Sequence, residues 1–119
     1  MDPNRNQATD ARLERLHSAF ELIRIKDREM PGQVVSCFLY VASHDGCHKQ
    51  AMEHELNLTS ASASRITDIL SKGRLGREAE GLGLITKRRD IGVNGRKQIL
   101  TLTPAGKDLA NQMKSIIYG

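Results

Sequence analysis

Four residues with metal-binding side chains lie close together in the sequence: His44, Cys47, His48 and His54. Thiolate and imidazole groups are good zinc ligands. The spacing of these four, however, matches no standard zinc pattern. We therefore expect no metal site, and we expect Cys47 to be a reduced thiol without a redox role.

The signs of catalysis are also missing from the sequence. We find no pair of carboxylates that suggests acid–base chemistry, no nucleophile with an evident base and no phosphate-loop spacing. The pair Gly81 and Gly83 is too short a pattern to indicate a nucleotide site. The sequence predicts a protein that is not an enzyme, with no catalytic residue and no cofactor.

Composition points to an acidic macromolecular partner. The chain has 119 residues, about the size of one domain, with a formal net charge of +4 and a pI of about 9.3. Aromatic residues make up 3% of it, which argues against a protein that stacks single-stranded bases on exposed rings. The polar N-terminus and the absence of a long apolar run predict no signal peptide and no membrane contact. We expect a cytoplasmic protein of bacterial, phage or plasmid origin.

Residues 56–70, LNLTSASASRITDIL, read as a helix end, a tight turn and a new helix. Asn57 suits the left-handed turn conformation, and Thr59 suits the N-cap of the new helix. Ala63, Ile66 and Ile69 or Leu70 recur at helical spacing, so small polar residues fall on the other face. This face can approach a DNA groove closely, and Arg65 can reach a guanine edge or a phosphate. An ordinary surface helix that begins with a polar turn is the alternative. The candidate DNA contacts of this helix, which we place at about 60–72, are Ser60, Ala61, Ser62, Ser64, Arg65, Asp68 and Lys72.

Two strands are predicted at 84–89 and 97–102, with a hairpin between them. Asn94-Gly95 is a strong signal for the turn of that hairpin. Before the hairpin, the glycine-rich residues 73–83 read as a mobile, basic connection. The candidate DNA contacts of the hairpin, at about 87–97, are Lys87, Arg88, Arg89, Asn94, Arg96 and Lys97.

Basic residues concentrate in the second half of the chain, which holds the helix at about 60–72 and the hairpin. The acids there, Asp68, Glu78, Glu80 and Asp90, are outnumbered, whereas residues 10–55 are near neutral. Such an asymmetry is the pattern expected of a duplex-binding face, although a solvated basic surface gives the same pattern. The cations are Arg65, Lys72, Arg74, Arg77, Lys87, Arg88, Arg89, Arg96 and Lys97.

Both ends of the chain are predicted to form helices that pair with a second copy of the protein. After a flexible tail at residues 1–9, apolar residues in the helix at 10–29 follow at steps of three and four, a narrow seam typical of helix pairing. A helix packed on its own domain's core would show the same spacing. Thr103-Pro104 starts the last helix, at 104–118. The candidate dimer contacts are Leu13, Leu16, Phe20, Ile23, Leu109, Met113 and Ile116.

The order of elements is helix, helix, helix, recognition helix, hairpin, helix. Over residues 31–111 the sequence resembles the winged helix-turn-helix domain of MarR-type bacterial transcription regulators. Three matches carry this resemblance: Asn57-Leu58-Thr59 with residues 62–68, Gly83-Leu84-Ile85 leading to Arg88-Arg89-Asp90, and Leu102-Thr103-Pro104-Ala105-Gly106. It implies a single mainly α domain at 10–119 with a small β hairpin, in which residues 47–102 form the helix-turn-helix and wing. It also implies that Ser60 to Arg65 enter the major groove, and that the wing reaches a flanking groove or the backbone.

The sequence departs from that family pattern in four places. Glu53 stands where the family usually has a small alanine, and its carboxylate must reach water or find a cation. Residues 73–80 look like an insertion, and Asn94-Gly95-Arg96 replaces the usual Asp-Arg pair of the wing. The sequence also holds one C-terminal helix where typical members continue with more, so the dimer geometry and a small-molecule effector are left open.

We therefore predict a homodimeric repressor that binds specific double-stranded DNA. Two other functions remain open from the sequence. A winged-helix module can bind proteins without DNA, and a replication or partition protein can bind DNA without regulating transcription.

Overall fold

The computed structural model describes residues 7–73, 76, 78, 81–90, 92 and 97–119. It contains helices and a small antiparallel sheet, which confirms the predicted mainly α fold with a β hairpin. The helices are α1 (Ala11–Arg24), α2 (Gly32–Ser43), α3 (Lys49–Leu56), α4 (Ser60–Leu70) and α5 (Pro104–Tyr118), and the strands are β1 (Cys47–His48), β2 (Ile85–Arg89) and β3 (Gln98–Leu102).

Side-chain caps define where α1 and α5 begin. Asp10 accepts hydrogen bonds from the amides of Arg12 and Leu13 at the start of α1. Thr103 accepts one from the amide of Gly106 at the start of α5, where Pro104 is the first helical residue. Each cap satisfies amides that have no partner inside their own helix, so both boundaries follow from local sequence.

The sheet has the strand order β1-β3-β2, and both pairs are antiparallel. Strands β2 and β3 are the predicted hairpin strands, with Lys87 opposite Leu100. Strand β1 was not predicted from the sequence. It places Cys47 opposite Leu100 and so joins the start of α3 to the wing strand β3.

Helix α2 is the centre of the core. It packs against α3, α4, α5 and β3. Phe38 and Val41 are completely buried on it, as expected for its mostly apolar sequence. The other completely buried core side chains include Ile23, Met52, Leu70 and Leu100.

Among the described residues, no helix is both long and apolar enough to cross a bilayer.

The beginning of α5 lies directly on the chain that enters β2. A Cβ atom at Gly106 would lie 2.0 Å from the backbone oxygen of Leu84, a distance that only glycine permits. That oxygen also accepts a hydrogen bond of 3.1 Å from the amide of Thr103. Gly106 therefore lets α5 lie directly against Leu84, the residue before β2.

Candidate nucleic-acid interface

The turn between α3 and α4 has the predicted geometry. Asn57 adopts the left-handed conformation with φ 54°, and its amide donates to carbonyl oxygens at the end of α3. Thr59 then caps α4, since its hydroxyl accepts a hydrogen bond of 3.1 Å from the amide of Ser62. These two residues set the direction in which α4 leaves α3.

Helix α4 has one buried face and one face of small side chains. Ala63, Ile66 and Leu70 are buried against the core, as the helical spacing predicted. Thr67 is also buried, and its hydroxyl donates to the carbonyl oxygen of Ala63 at 2.8 Å. The surface that remains can approach another molecule closely. It consists of exposed Ser60, Ala61 and Arg65, with Ser62, Ser64 and Asp68 half-buried at its edges.

Two of the candidate DNA contacts bind each other. The ammonium group of Lys87 on β2 donates to Asp68 Oδ1 on α4. Both side chains are partly buried. This ion pair joins α4 to β2, so part of the charge of Lys87 is already neutralised within the protein.

The remaining described cations of the wing are on the surface. Arg88 and Arg89 are exposed near the end of β2, and Lys97 is exposed just before β3. The candidate contacts Asn94 and Arg96 lie outside the described residues. Arg88 and Arg89 are therefore available to a ligand that lies beside α4 and the wing.

A histidine and an aspartate connect the base of the wing to β1. His48 Nε2 lies 3.1 Å from Asp90 Oδ2. The other oxygen of Asp90 accepts a hydrogen bond of 3.0 Å from the amide of Gly92. The hydrogen bond with His48, followed by the one from Gly92, lowers the pKa of Asp90. Asp90 therefore favours its charged form, and it ties the wing to β1.

Glu53 has the cation that its position requires. Lys49 Nζ donates to Glu53 Oε2 at 2.6 Å and also lies 3.4 Å from the carbonyl oxygen of Ser60. Lys49 is buried. The pair is one turn apart on α3, so the i, i+4 spacing in the sequence could have indicated it. It holds the first residue of α4 against α3.

Sequence reasoning missed two glutamines beside α4. Gln50 of α3 and Gln98 of β3 line one polar cleft together with Ser60, Ser64 and Lys97. Gln50 is exposed and Gln98 is half-buried. The pairing of His48 with Ile99 brings these two segments together. Because β1 was not predicted, no signal in the sequence placed Gln50 beside the wing.

The end of α4 is tied to the chain that precedes β2. The amides of Leu82, Gly83 and Leu84 each donate at 2.8 Å to carbonyl oxygens of residues 69–71. These bonds satisfy carbonyl groups that have no partner inside the helix. Residues 82 and 83, which were predicted to belong to a mobile connection, are thus hydrogen-bonded to the end of α4. Lys72, another candidate DNA contact, is exposed beside this junction.

The candidate dimer residues fall into two groups. Ile23, Leu109 and Met113 are buried within the chain, where α1 packs against α5, and Ile116 is half-buried. Leu13, Leu16 and Phe20 are instead exposed, by 62%, 56% and 39%. We call these three exposed residues the α1 stripe.

The two cysteines are fully or partly buried, and His44 packs on an aromatic ring. Burial raises the pKa of the Cys37 thiol to about 11, and burial is also the largest cause of the raised pKa of Cys47. The His44 ring stacks on Tyr40 with a centroid distance of 4.3 Å. In the part of the chain that the structure describes, no three His, Cys, Asp or Glu residues are grouped to hold a metal ion.

Comparisons with known proteins show which solved structures share this fold. No family model matches the sequence, and no curated protein matches it at a significant level. Solved structures do match. The PcaV transcriptional regulator from Streptomyces coelicolor is 19% identical with a TM-score of 0.57, over 89% of this chain and 71% of that one. A MarR-like transcriptional regulator from Thermotoga maritima is 22% identical with a TM-score of 0.60, over 93% and 77%. Reduced AbfR bound to DNA is 17% identical with a TM-score of 0.58, over 89% and 67%.

The chain has the MarR-type winged-helix fold. This confirms the fold that the three sequence matches implied. In the MarR-type arrangement seen here, α3 and α4 form the helix-turn-helix, and β2 and β3 form the wing. The α4 face, the exposed wing cations and the glutamine-lined cleft all lie along these elements.

Proposed function

We propose that the protein is a transcription regulator that binds a specific double-stranded DNA sequence as a homodimer and acts as a repressor. The observation that carries this proposal is the exposed face of α4, on which Arg65 is the long donor among small side chains. Such a face can enter the major groove, where the arginine fork matches the O6 and N7 atoms of guanine. Helix α4 is the recognition helix in this proposal.

The charge distribution supports a duplex as the partner. Exposed Arg88, Arg89 and Lys97 stand on the wing beside α4, and Lys72 is exposed near the end of that helix. Cations around a groove-reading helix neutralise phosphates and release counterions, which supplies most of the nonspecific affinity. Reduced AbfR, which has this fold, has been solved bound to DNA.

The α1 stripe supports a second copy of the chain as the other partner. Residues 11–18 are exposed on every side of α1, although Leu13 and Leu16 are among them. A short helix that lies uncovered in water is only marginally stable. Two copies that cover each other's α1 stripe would bury these side chains. A symmetric dimer would also present two recognition helices to two half-sites about one DNA turn apart.

Selection from random duplexes tests this proposal. The wild-type protein should enrich a motif with two related half-sites. Transcription from a promoter that carries this motif should fall when the protein is added, and a rise would instead indicate an activator. Binding of duplex DNA without any effect on transcription would favour a replication or partition protein, and retention of duplexes without sequence preference would contradict sequence-specific binding. If no duplex is retained, the winged-helix protein-interaction module would replace this proposal.

A further inference from the structure

A polar cleft lies between α3, α4 and the start of β3, and we call it the α3–β3 cleft. Every residue that lines it carries a polar side chain. It encloses about 280 Å³, less than the roughly 300–1,000 Å³ of pockets that enclose organic ligands of drug size. The cleft therefore suits a small polar group. Its lining residues are Lys49, Gln50, Glu53, Ser60, Ser64, Lys97 and Gln98.

The charges of the cleft favour an anion. Glu53 is held by Lys49 at 2.6 Å, so these two side chains neutralise each other. Lys97 remains as a further cation at the edge of the cleft, and it is exposed. The net charge that the cleft presents is therefore positive, despite the carboxylate in its wall.

The neutral side chains of the cleft can all donate hydrogen bonds. Gln50 and Gln98 carry amide groups, and Ser60 and Ser64 carry hydroxyl groups. A phosphate oxygen in a DNA backbone only accepts, so each of these donors matches it. Their amide and hydroxyl oxygens can also accept hydrogen bonds, so the preference of the cleft for an anion comes from Lys97.

We propose that the α3–β3 cleft binds a single phosphate of the DNA backbone and thereby fixes the register of α4 in the groove. The proposal rests on the DNA binding proposed above and adds Gln50 and Gln98 to the interface. The cleft lies between the exposed face of α4 and the wing strand. A backbone that runs from one to the other would pass over it.

Replacement of single phosphates tests this proposal in the selected duplex. Each phosphate in turn becomes a neutral methylphosphonate, and affinity is measured for wild type, Gln98→Glu and Gln50→Glu. Gln33→Glu is the matched control, since Gln33 is exposed on α2 and outside the cleft. Thermal unfolding of all variants checks that each is folded.

We expect wild type and Gln33→Glu to lose about tenfold in affinity at one phosphate in each half-site. In Gln98→Glu and Gln50→Glu the unmodified duplex should bind about tenfold more weakly, and the loss at that phosphate should disappear. The salt dependence should flatten by about one unit. If the cleft variants show the same loss at every phosphate as wild type, the cleft proposal is wrong and DNA binding stands. If wild type binds no duplex, the proposed function itself has failed.

Discussion

Arg65 differs from the other cations of the interface in its neighbours. It projects from α4 among serine and alanine side chains, whereas Arg88 and Arg89 stand on a strand of the wing. Small neighbours let the helix come close enough for one long donor to reach a base edge. A wing cation meets the phosphate backbone first. We therefore expect Arg65 to recognise bases and Arg88 and Arg89 to attract the phosphate backbone.

The first prediction compares Arg65→Ala with Arg88→Ala. Loss of Arg65 should cost about 1–3 kcal/mol on the selected duplex and less on a scrambled duplex. Loss of Arg88 should weaken both duplexes alike and flatten the log–log salt dependence by about one unit. Titrations of both duplexes at several salt concentrations measure the two effects. The assignment is wrong if Arg88→Ala removes specificity while Arg65→Ala preserves it.

The second prediction concerns Asp90, whose lowered pKa comes first from its hydrogen bond with His48. A carboxylate with a lowered pKa stabilises the fold above its ordinary pKa of about 3.9 and loses that effect as the pH falls through the lowered value. Asp90→Asn should therefore be less stable than wild type at pH 5. The difference should shrink as the pH falls below about 4.

Urea unfolding of the two proteins between pH 3 and pH 7 measures this difference. Asp45→Asn is a poor control, because Asp45 accepts a hydrogen bond from Leu102. Asp108→Asn serves better, because the hydrogen bond of 2.7 Å that Asp108 accepts comes from the exposed side chain of Gln112, one turn later on α5, and not from the backbone of a strand. A gap between wild type and Asp90→Asn that stays constant down to pH 3 would contradict the account.

The residue pairs show what local sequence can and cannot predict. Lys49 and Glu53 are four residues apart on one helix, so their ion pair was within reach of a helical reading. Asp68 and Lys87 are 19 residues apart on different elements. Their pairing depends on how β2 packs beside α4. Both were therefore predicted as DNA contacts, a role that remains untested.

Among the elements, the wing is held in place by the start of α5. Thr103 donates from its hydroxyl to the carbonyl oxygen of Gly83 at 2.6 Å and accepts from the amide of Gly106. The close approach of Gly106 to Leu84 completes this junction. A substitution that disrupts this junction should therefore displace β2 and α5 relative to each other.

The third prediction is that Gly106→Ala destabilises the protein. The added methyl group would overlap the Leu84 carbonyl, so α5 or β2 must move, at a cost of about 1–3 kcal/mol or more. Gly32→Ala is the matched control, because a Cβ atom there meets nothing within 4 Å. The control should leave stability unchanged or raise it by about 0.4–1 kcal/mol. Equal unfolding midpoints for the two variants in urea would contradict this prediction.

Helix starts were predictable because their signals are local, whereas the first helix was predicted to reach residue 29 and ends at Arg24. Thr59 and Thr103 each accept a hydrogen bond from an amide three residues later, and Pro104 has its φ already fixed for the first helical position. Strand β1 has only two residues, Cys47 and His48, too few for an alternating pattern. It exists because β3 supplies its hydrogen-bonding partners. The α3–β3 cleft depends on that pairing, and for this reason it was missed.

In the whole molecule, the terminal helices α1 and α5 contribute side chains to the core, and α1 also carries exposed apolar side chains. Ile23, Leu109 and Met113 fill the contact between α1 and α5 in one chain. The seam predicted from sequence thus combined core residues with the α1 stripe, because the same helical spacing marks both. Burial in the folded chain separates them, and the stripe remains for a partner.

The fourth prediction is that Leu16→Glu prevents dimerisation. Leu16 is 56% exposed, so a carboxylate there is tolerated in the single chain but not between two α1 stripes. Ser18→Glu, on the opposite side of α1 and also exposed, is the control for charge. Sedimentation at micromolar concentration should give dimers for wild type and the control and monomers for Leu16→Glu. Wild type that sediments as a monomer, with and without DNA, would contradict the homodimer.

The most direct test of the account is a competition titration of wild-type protein near physiological salt. A labelled duplex that carries the selected motif competes with its scrambled counterpart of equal length and composition. Because α4 is proposed to read base edges, the motif should bind at least about 1,000-fold more tightly. Equal affinity for the two duplexes would show that the basic face attracts backbone alone and would contradict sequence reading by α4.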